Sequence, residues 1–224
     1  MDKNEALEIY KNKTPFSRGK RGIISLTNYK NKKYCIKEKN PTSDANNRIF
    51  LEYENNKKLN MINVGPEIFY YDKEQEFIIR DFVEGDTIFE YLKKHKKDED
   101  IKLKTKTILL NILNQCRRMD KIKMNKLEMT NPHKDILIEE KKEKNKIIVN
   151  PIIIDFERCK FTARPKNVTQ FCQFLTKGNM ELELNKIKIT LDKQKIINLA
   201  EIYKNNESDD NFYKLREEIN TKLT

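Results

Sequence analysis

The residues Pro151-Ile152-Ile153-Ile154 form an unbroken apolar run that stops on Asp155-Phe156-Glu157. A run this short reads as a buried strand. In a chain where 36% of the residues are charged, few segments can cover such a strand, so it fixes where a core must form. The acids at its exit have two readings. They are carboxylates delivered to a site at the strand's end, or they mark where the strand meets water.

The other patterned segments narrow the architecture. The short β-prone runs GIISL (22–26) and KYCIKE (33–38) flank the turn-rich TNYKNK, which predicts a hairpin. A helix capped by Thr42 or Ser43 is expected to run to about Ile62 and to stop at Gly65-Pro66. EIFYYD and EFIIRDFV, joined by DKEQ, predict two further strands. The second half reads as TIFEYLKKH (87–95), a long helix over KTKTILLNILNQCRRMDKI (104–122), a second hairpin from DILIE and IIVNPIIID, and three helices in NVTQFCQFL, KQKIINLAEIY and NFYKLREEINTKL. The charged runs KKHKKDED (93–100) and EEKKEKNK (139–146) read as solvated loops. The expected class is α+β, with a small β-rich lobe over residues 1–83 and a larger, mainly helical lobe over 84–224.

With 224 residues and 37% hydrophobic content the chain can bury a modest core. No window is long and apolar enough for a membrane helix, and the polar start MDKNEALEIY lacks a secretory pattern, so a soluble, cytoplasmic protein is expected. Cys35, Cys116, Cys159 and Cys172 are widely spaced and read as reduced, mostly buried thiols rather than zinc ligands. The net charge is +11, from 46 basic against 35 acidic residues. The excess is clustered: residues 1–40 hold eleven Lys/Arg and four Asp/Glu, a surplus of +7, and residues 158–177 hold five basic residues and no acid. Such clustering suits a polyanionic partner, with Arg18, Lys20, Arg21, Arg164 and Lys166 as the candidate contacts.

Several segments carry possible chemistry. Ser17-Arg18-Gly19-Lys20-Arg21-Gly22 places two glycines three apart before a strand, and Lys37 follows Gly22 by fifteen residues. Backbone N–H groups of such a turn can lie over phosphates that a lysine on the adjacent strand also reaches; in isolation the segment is equally an ordinary hairpin turn. A desolvated lysine needs a carboxylate to orient it, and Glu52 or Glu54 on the following helix can supply it, with Glu52 favoured. The strand from Phe77 through Asp81 to Val83, running into Gly85 and Asp86, suits a connection between lobes whose backbone reads an adenine edge, with Asp86 near a ribose hydroxyl. Glu128 follows the long helix, Asp135 precedes a strand, and Asp155 follows that strand's hairpin partner. A hairpin sets Asp135 and Asp155 at one end of neighbouring strands, where both can share a divalent cation, while Glu128 positions or deprotonates an attacking hydroxyl.

Taken together, Ser17-x-Gly19-x-x-Gly22-x-Ile24, Lys37, Glu52 and Asp155-Phe156-Glu157 resemble the bilobal protein-kinase fold in its minimal, RIO-like form. In that resemblance they correspond to the glycine-rich loop, the ATP lysine, its helix partner and the DFG motif. The catalytic loop departs from the kinase pattern, with Lys126-Leu127-Glu128 in place of HRD, and Glu128 to Asp135 is two residues longer than the kinase Asp-to-Asn interval. Asn131 or Lys134 could therefore share the role of Glu128. The loop, the DFE triplet and Pro165-Lys166-Asn167-Val168-Thr169-Gln170 resemble an archaeal RIO-like family of predicted serine/threonine kinases that includes the ArkI-type tRNA kinases. That resemblance implies ATP and Mg2+ as cofactors, tRNA as partner, and phosphorylation of a ribose 2′-hydroxyl on a variable-loop uridine. Two alternatives stay open, a RIO-like serine/threonine protein kinase and a kinase-like RNA-binding module without turnover. Nothing in the sequence sets the oligomeric state.

Overall fold

The computed structural model describes residues 1–19, 22–42, 47–144 and 146–222. The chain divides into two compact units, Met1–Val83 with Asp155–Cys159, and Glu84–Ile154 with Lys160–Thr224.

The first unit begins with helix α1 (Lys3–Lys11), whose N-cap Asp2 accepts a hydrogen bond from the Glu5 N–H. Strands β1 (Thr14–Arg18), β2 (Gly22–Tyr29) and β3 (Lys32–Lys39) are followed by helix α2 (Arg48–Asn60) and strands β4 (Ile68–Asp72) and β5 (Phe77–Asp81). The five strands make one antiparallel sheet in the order β1-β2-β3-β5-β4. Lys30 and Asn31, inside the predicted turn, both take left-handed φ values of 47° and 61°, which matches a two-residue hairpin turn to the twist of its strands. One sheet face carries Tyr34, Ile36, Phe77 and Ile79 against Ala6 and Ile9 of α1, with Tyr10 stacked on Phe77 at 4.1 Å. Because side chains alternate along a strand, Cys35 and Lys37 face the opposite side.

Helix α2 begins later than the sequence predicts. Asn47, in the left-handed region with no side-chain cap, precedes Arg48. Thr42 instead sits in a turn, where its N–H and hydroxyl both donate to Asn40 Oδ1; a local side-chain bond of this kind competes with helix initiation. Ser43, the other proposed cap, lies outside the described residues. The buried face of α2 is Ile49, Glu52, Asn56 and Leu59, spaced three and four apart. Asn55 is buried beside them, so three of the five buried residues of α2 are polar.

The second unit contains β6 (Gly85–Thr87), α3 (Ile88–His95), α4 (Ile101–Lys121), β7 (Met124–Lys126), β8 (Ile136–Glu143), β9 (Lys146–Ile153), β10 (Cys159–Phe161), α5 (Asn167–Leu175), α6 (Gly178–Lys186), α7 (Lys193–Asn205) and α8 (Asp209–Lys222). Thr87 and Glu90 close a reciprocal capping box at the start of α3, satisfying N–H groups that the first turn leaves open. Ile108, Leu109, Ile112, Leu113, Cys116 and Met119 of α4 are all almost fully buried and form the stripe on which the unit is built. Strands β6, β8 and β9 form a sheet in that order, and β9 is an edge strand, the position where a proline is tolerated. Ile153 is completely buried, and Gln115 of α4 donates to the Pro151 carbonyl at 2.8 Å.

Two charged runs read as loops prove partly ordered. Residues 93–95 close α3, and Glu139–Glu143 pair with 146–150 across the hairpin. The ladder needs only backbone groups, so a hairpin whose side chains meet water can be written in charged residues. Helices α1 and α6 and strand β1 go unpredicted; β1 is exposed along its length and gives no apolar alternation. No helix among the described residues is long and apolar enough to cross a membrane.

Candidate functional site

The first unit gathers a cation and three acids. Lys37 of β3 forms an ion pair with Glu52 of α2 and lies 3.3 Å from Asp155 Oδ1. Burial alone would lower the Lys37 pKa, but the Glu52 and Asp155 carboxylates outweigh it and hold the ammonium well above its ordinary value. Glu52 is 2% exposed, while Glu54 turns outward to Lys58, 4.0 Å away. Glu157 is also buried and has Arg48 at 3.7 Å. Oxygen atoms of Glu52, Asp155 and Glu157 lie within 4.8 Å of one another. An all-oxygen, anionic donor set of this kind suits a hard divalent cation such as magnesium.

The backbone around Asp155 is held firmly. Asp155 takes a left-handed φ of 63°, uncommon outside glycine and a mark of a position that its surroundings impose. Phe156 is completely buried and packs so close to Gly65 (φ 80°) that a Cβ there would meet its ring at 2.4 Å. The Phe156 carbonyl accepts from Asn55 Nδ2 at 2.8 Å. These contacts set the angle at which the Asp155 carboxylate leaves the chain.

The predicted phosphate turn is the β1–β2 connection. Ser17 pairs with Ile24 and Arg18 with Ile23, and the Gly19 N–H donates to the Gly22 carbonyl at 2.9 Å. Asn40 fastens this turn: its Nδ2 donates to the Gly19 carbonyl at 2.9 Å and its Oδ1 accepts from Arg18 Nη2 at 3.3 Å. A Cβ on Gly22 would stand 3.1 Å from the Glu38 carbonyl and 3.2 Å from Lys37 Cε. Lys20 and Arg21 lie outside the described residues. Asp81 pairs with Lys32 at 2.7 Å and Val83 is buried, while in the second unit Asp86 is held by Lys94 at 2.7 Å.

The second unit holds the proposed catalytic loop on a buried polar frame. Asn167, at the start of α5, accepts from the Lys126 N–H at 2.8 Å and donates through Nδ2 to the Met124 carbonyl and to Asp120 Oδ1, both at 2.7 Å. Asn125 Oδ1 accepts from the Lys166 N–H at 2.7 Å. Asp120 also accepts from the Val168 N–H and the Tyr203 hydroxyl; burial nevertheless pushes its pKa from 3.8 up to about 6, against those hydrogen bonds. Lys126, 1% exposed, reaches Asp135 Oδ2 at 2.8 Å. The Glu128 carbonyl accepts from the Asn131 N–H at 3.0 Å, turning the loop, and Asn131 Oδ1 meets His133 Nδ1 at 2.9 Å. Lys134, Arg164 and Lys166 are exposed.

The roles of four residues escaped the sequence reading, although Lys126 and Asn167 stand in motifs it quoted. Arg80 is almost fully buried; burial opposes its charge, and Cys35, Glu52 and Asp155 together more than offset that. Its only sequence signal is a basic residue within the apolar strand FIIRD. Asn40, Lys126 and Asn167 act through partners that no local pattern reveals.

No protein-family model and no curated protein matches the chain. Among solved structures, the Rio2 kinase from Chaetomium thermophilum, as its ADP/Mg2+-phosphoaspartate complex, is similar at 15% identity with a TM-score of 0.53, over 98% of this chain and 74% of that one. WaaP, solved in complex with acyl carrier protein, is similar at 11% identity with a TM-score of 0.55, over 99% of this chain and 92% of that one. The antiparallel sheet with α1 and α2, followed by the helical second unit, is therefore a protein-kinase-like α+β fold, of the kind seen in the atypical kinase Rio2 and in WaaP.

Proposed function

We propose that this protein is an ATP-dependent kinase that phosphorylates a ribose 2′-hydroxyl of tRNA, with the variable-loop uridine favoured by its resemblance to ArkI-type kinases. The observation that carries the kinase reading is Lys37, its side chain 12% exposed, set between Glu52 and Asp155, on a fold shared with Rio2. A lysine kept charged out of water is a fixed electrostatic clamp for phosphate oxygens. Glu52 orients that clamp, and the β1–β2 turn with Gly19 and Gly22 lies over the phosphates. Of the two acids assigned to the cation, Asp155 has its backbone angle fixed by Phe156 and Gly65, and Asp135 is oriented by Lys126. Magnesium bound by such carboxylates would neutralise charge at the transferred phosphoryl group. The Asp81 N–H donates to the Glu67 carbonyl, so Asp81 would offer its carbonyl and Val83 its backbone groups to the adenine, and Asp86 a carboxylate to the ribose.

Glu128 accepts the proton of the attacking hydroxyl as its oxygen bonds to the γ-phosphorus and the bond to the ADP oxygen breaks. Asn131 and Lys134, on the same loop, are close enough in sequence to assist. The RNA reading draws on charge: Arg164 and Lys166 are exposed within a stretch, 158–177, that contains no acid, and with Arg18, Lys20 and Arg21 they are the proposed backbone contacts. The test is label transfer from γ-labelled ATP to purified tRNA and, in parallel, to protein extract, with native protein and Asp155→Ala. Transfer to tRNA that rises at low salt and vanishes in Asp155→Ala is expected. Label on protein alone would replace the RNA reading with a protein-kinase one; magnesium-dependent ATP binding without transfer to either would leave a binding module.

A further inference from the structure

Within the second unit a cleft of about 330 Å³ opens beside the loop that carries Glu128. Small-ligand sites run from about 300 to 1,000 Å³, so this one suits a single compact group rather than an extended segment. Its lining is apolar on one side: Phe174 and Met180 are almost fully buried, and the Phe89 ring lies tilted against Phe174 at 5.9 Å and stacks on His133 at 5.7 Å. Its rim is made of carboxamides from three elements, Asn131 of the loop, Gln173 of α5 and Asn179 of α6. Gln173 and Asn179 each offer a donor and an acceptor, while Asn131, whose Oδ1 already meets His133 Nδ1, offers its amide donor. No carboxylate lines the cleft, and Lys177 is its one charged residue among those described. Lys177 is also the N-cap of α6, where the positive end of the helix dipole adds to its ammonium charge and Glu181 in the first turn offsets part of it.

Resting on the RNA reading above, we infer that this cleft takes a nucleobase of the RNA substrate. The ring lies against the apolar lining, the carboxamides meet its hydrogen-bonding edge, and a phosphate of the same nucleotide sits at Lys177. Unstacked bases are bound in this manner, by aromatic faces together with polar groups on the base edge. Asn or Gln pairing with a base edge is a recurrent source of discrimination. A basic peptide would call for carboxylates that the cleft lacks, and an acidic peptide leaves the apolar lining without a planar partner. The hydrogen bond from the Asn131 N–H to the Glu128 carbonyl puts the rim one turn from the proposed proton acceptor, so the base held here belongs to the acceptor nucleotide or its immediate neighbour.

The experiment combines photocrosslinking with kinetics. Single-stranded oligoribonucleotides carrying 4-thiouridine or 6-thioguanosine are irradiated with the full-length protein and the linked peptides are mapped by mass spectrometry. Crosslinks to Phe89 or to residues 173–180 are expected. Gln173→Ala and Asn179→Ala are expected to raise KM for RNA about tenfold, the scale of one lost base contact, with a smaller change in kcat and an altered ratio of rates among substrates differing only in that base. Asn179 is exposed, so its variant keeps the test valid if Gln173→Ala folds poorly. RNA phosphorylation with crosslinks elsewhere and unchanged KM in both variants would overturn the cleft and leave the RNA kinase standing. Cleft crosslinks without any transfer to RNA would support the cleft and remove the kinase reading. A raised KM for a protein substrate, with no crosslink, would overturn both.

Discussion

Lys37 and Lys126 are both lysines paired with acids, Lys37 partly and Lys126 fully buried, and they are built differently. Lys37 has a fully buried partner, Glu52, and a second, Asp155, whose side chain is 38% exposed. Lys126 is itself the buried member, 1% exposed, and its partner Asp135 is more open at 16%. The first arrangement holds a cation between a buried carboxylate and a more exposed one. The second locks a carboxylate in place from beneath, on a loop whose backbone is tied down by Asn125 and Asn167. One region supplies charge and the other supplies position.

The largest expected effect separates these roles. Lys37→Met should reduce transfer from ATP about 10²–10³-fold, the usual scale for losing one preorganised charge-stabilising donor. It should also destabilise the fold by about 3 kcal/mol, because Glu52 is left buried without its lysine. Adding Glu52→Gln should recover most of the stability in urea unfolding and none of the transfer. Recovery of both would reduce Lys37 to a structural ion pair and erase the contrast with Lys126.

Asn167→Ala comes next. It removes the acceptor of the Lys126 N–H and the donor to Met124 and Asp120, at about 1–3 kcal/mol for each buried group left without a partner. A loss of about 3 kcal/mol is expected, with faster hydrogen exchange at the Lys126 amide and a lower kcat at unchanged KM for ATP. Unchanged exchange at that amide would show that the frame does not set the loop.

How much of this was open to a reader of the sequence depends on how local each cause is. The β2–β3 hairpin could be read because its turn lies within six residues, and α3 because Thr87 and Glu90 are a signature three apart. Lys37 and Asp155 stand out by position, one on a strand after a glycine turn, the other at the end of an apolar run. Of the packed face of α2 only Glu52 could be read, as the partner of Lys37; Asn55 and Asn56 stand where apolar residues would reveal a helix face. The Asn167 frame was equally hidden. Its partner Asp120 lies 47 residues earlier, and neither residue looks unusual until the fold buries them together.

Asp120 gives a pH test of that frame. Its pKa rises from 3.8 to about 6 on folding, so the folded state holds more protons than the unfolded state between those values. Stability associated with this group is fully present below pH 4, falls as the pH rises through 6, and is constant beyond. A rise of that size corresponds to about 3 kcal/mol at most, and about 2 kcal/mol is expected once partial solvation is allowed for. The difference in unfolding free energy between native protein and Asp120→Asn should therefore slope between pH 4 and 6 and flatten above. A flat difference throughout would mean that the hydrogen bonds from Asn167, Val168 and Tyr203 cancel the effect of burial.

The smallest effect probes the glycines on the charge-supplying side. Gly19 and Gly22 look equivalent in sequence, but a Cβ at Gly19 would touch only the Gly22 carbonyl at an ordinary 3.5 Å, whereas at Gly22 it would press on the Glu38 carbonyl and on Lys37 Cε. Neither φ is left-handed, so the difference is one of space and not of backbone strain. The Glu38 carbonyl belongs to the β2–β3 ladder and yields little; the Lys37 side chain is flexible and yields first. Gly22→Ala should thus shift the ammonium a few tenths of an ångström from Asp155 and raise KM for ATP about threefold, at a stability cost below about 1 kcal/mol. Gly19→Ala should leave both unchanged. If the two variants behave alike, Gly22 is an ordinary turn residue and the ammonium does not depend on the strand beside it. If only Gly22→Ala raises KM, the closeness of β2 to Lys37 is what makes the second glycine, and not the first, part of the site.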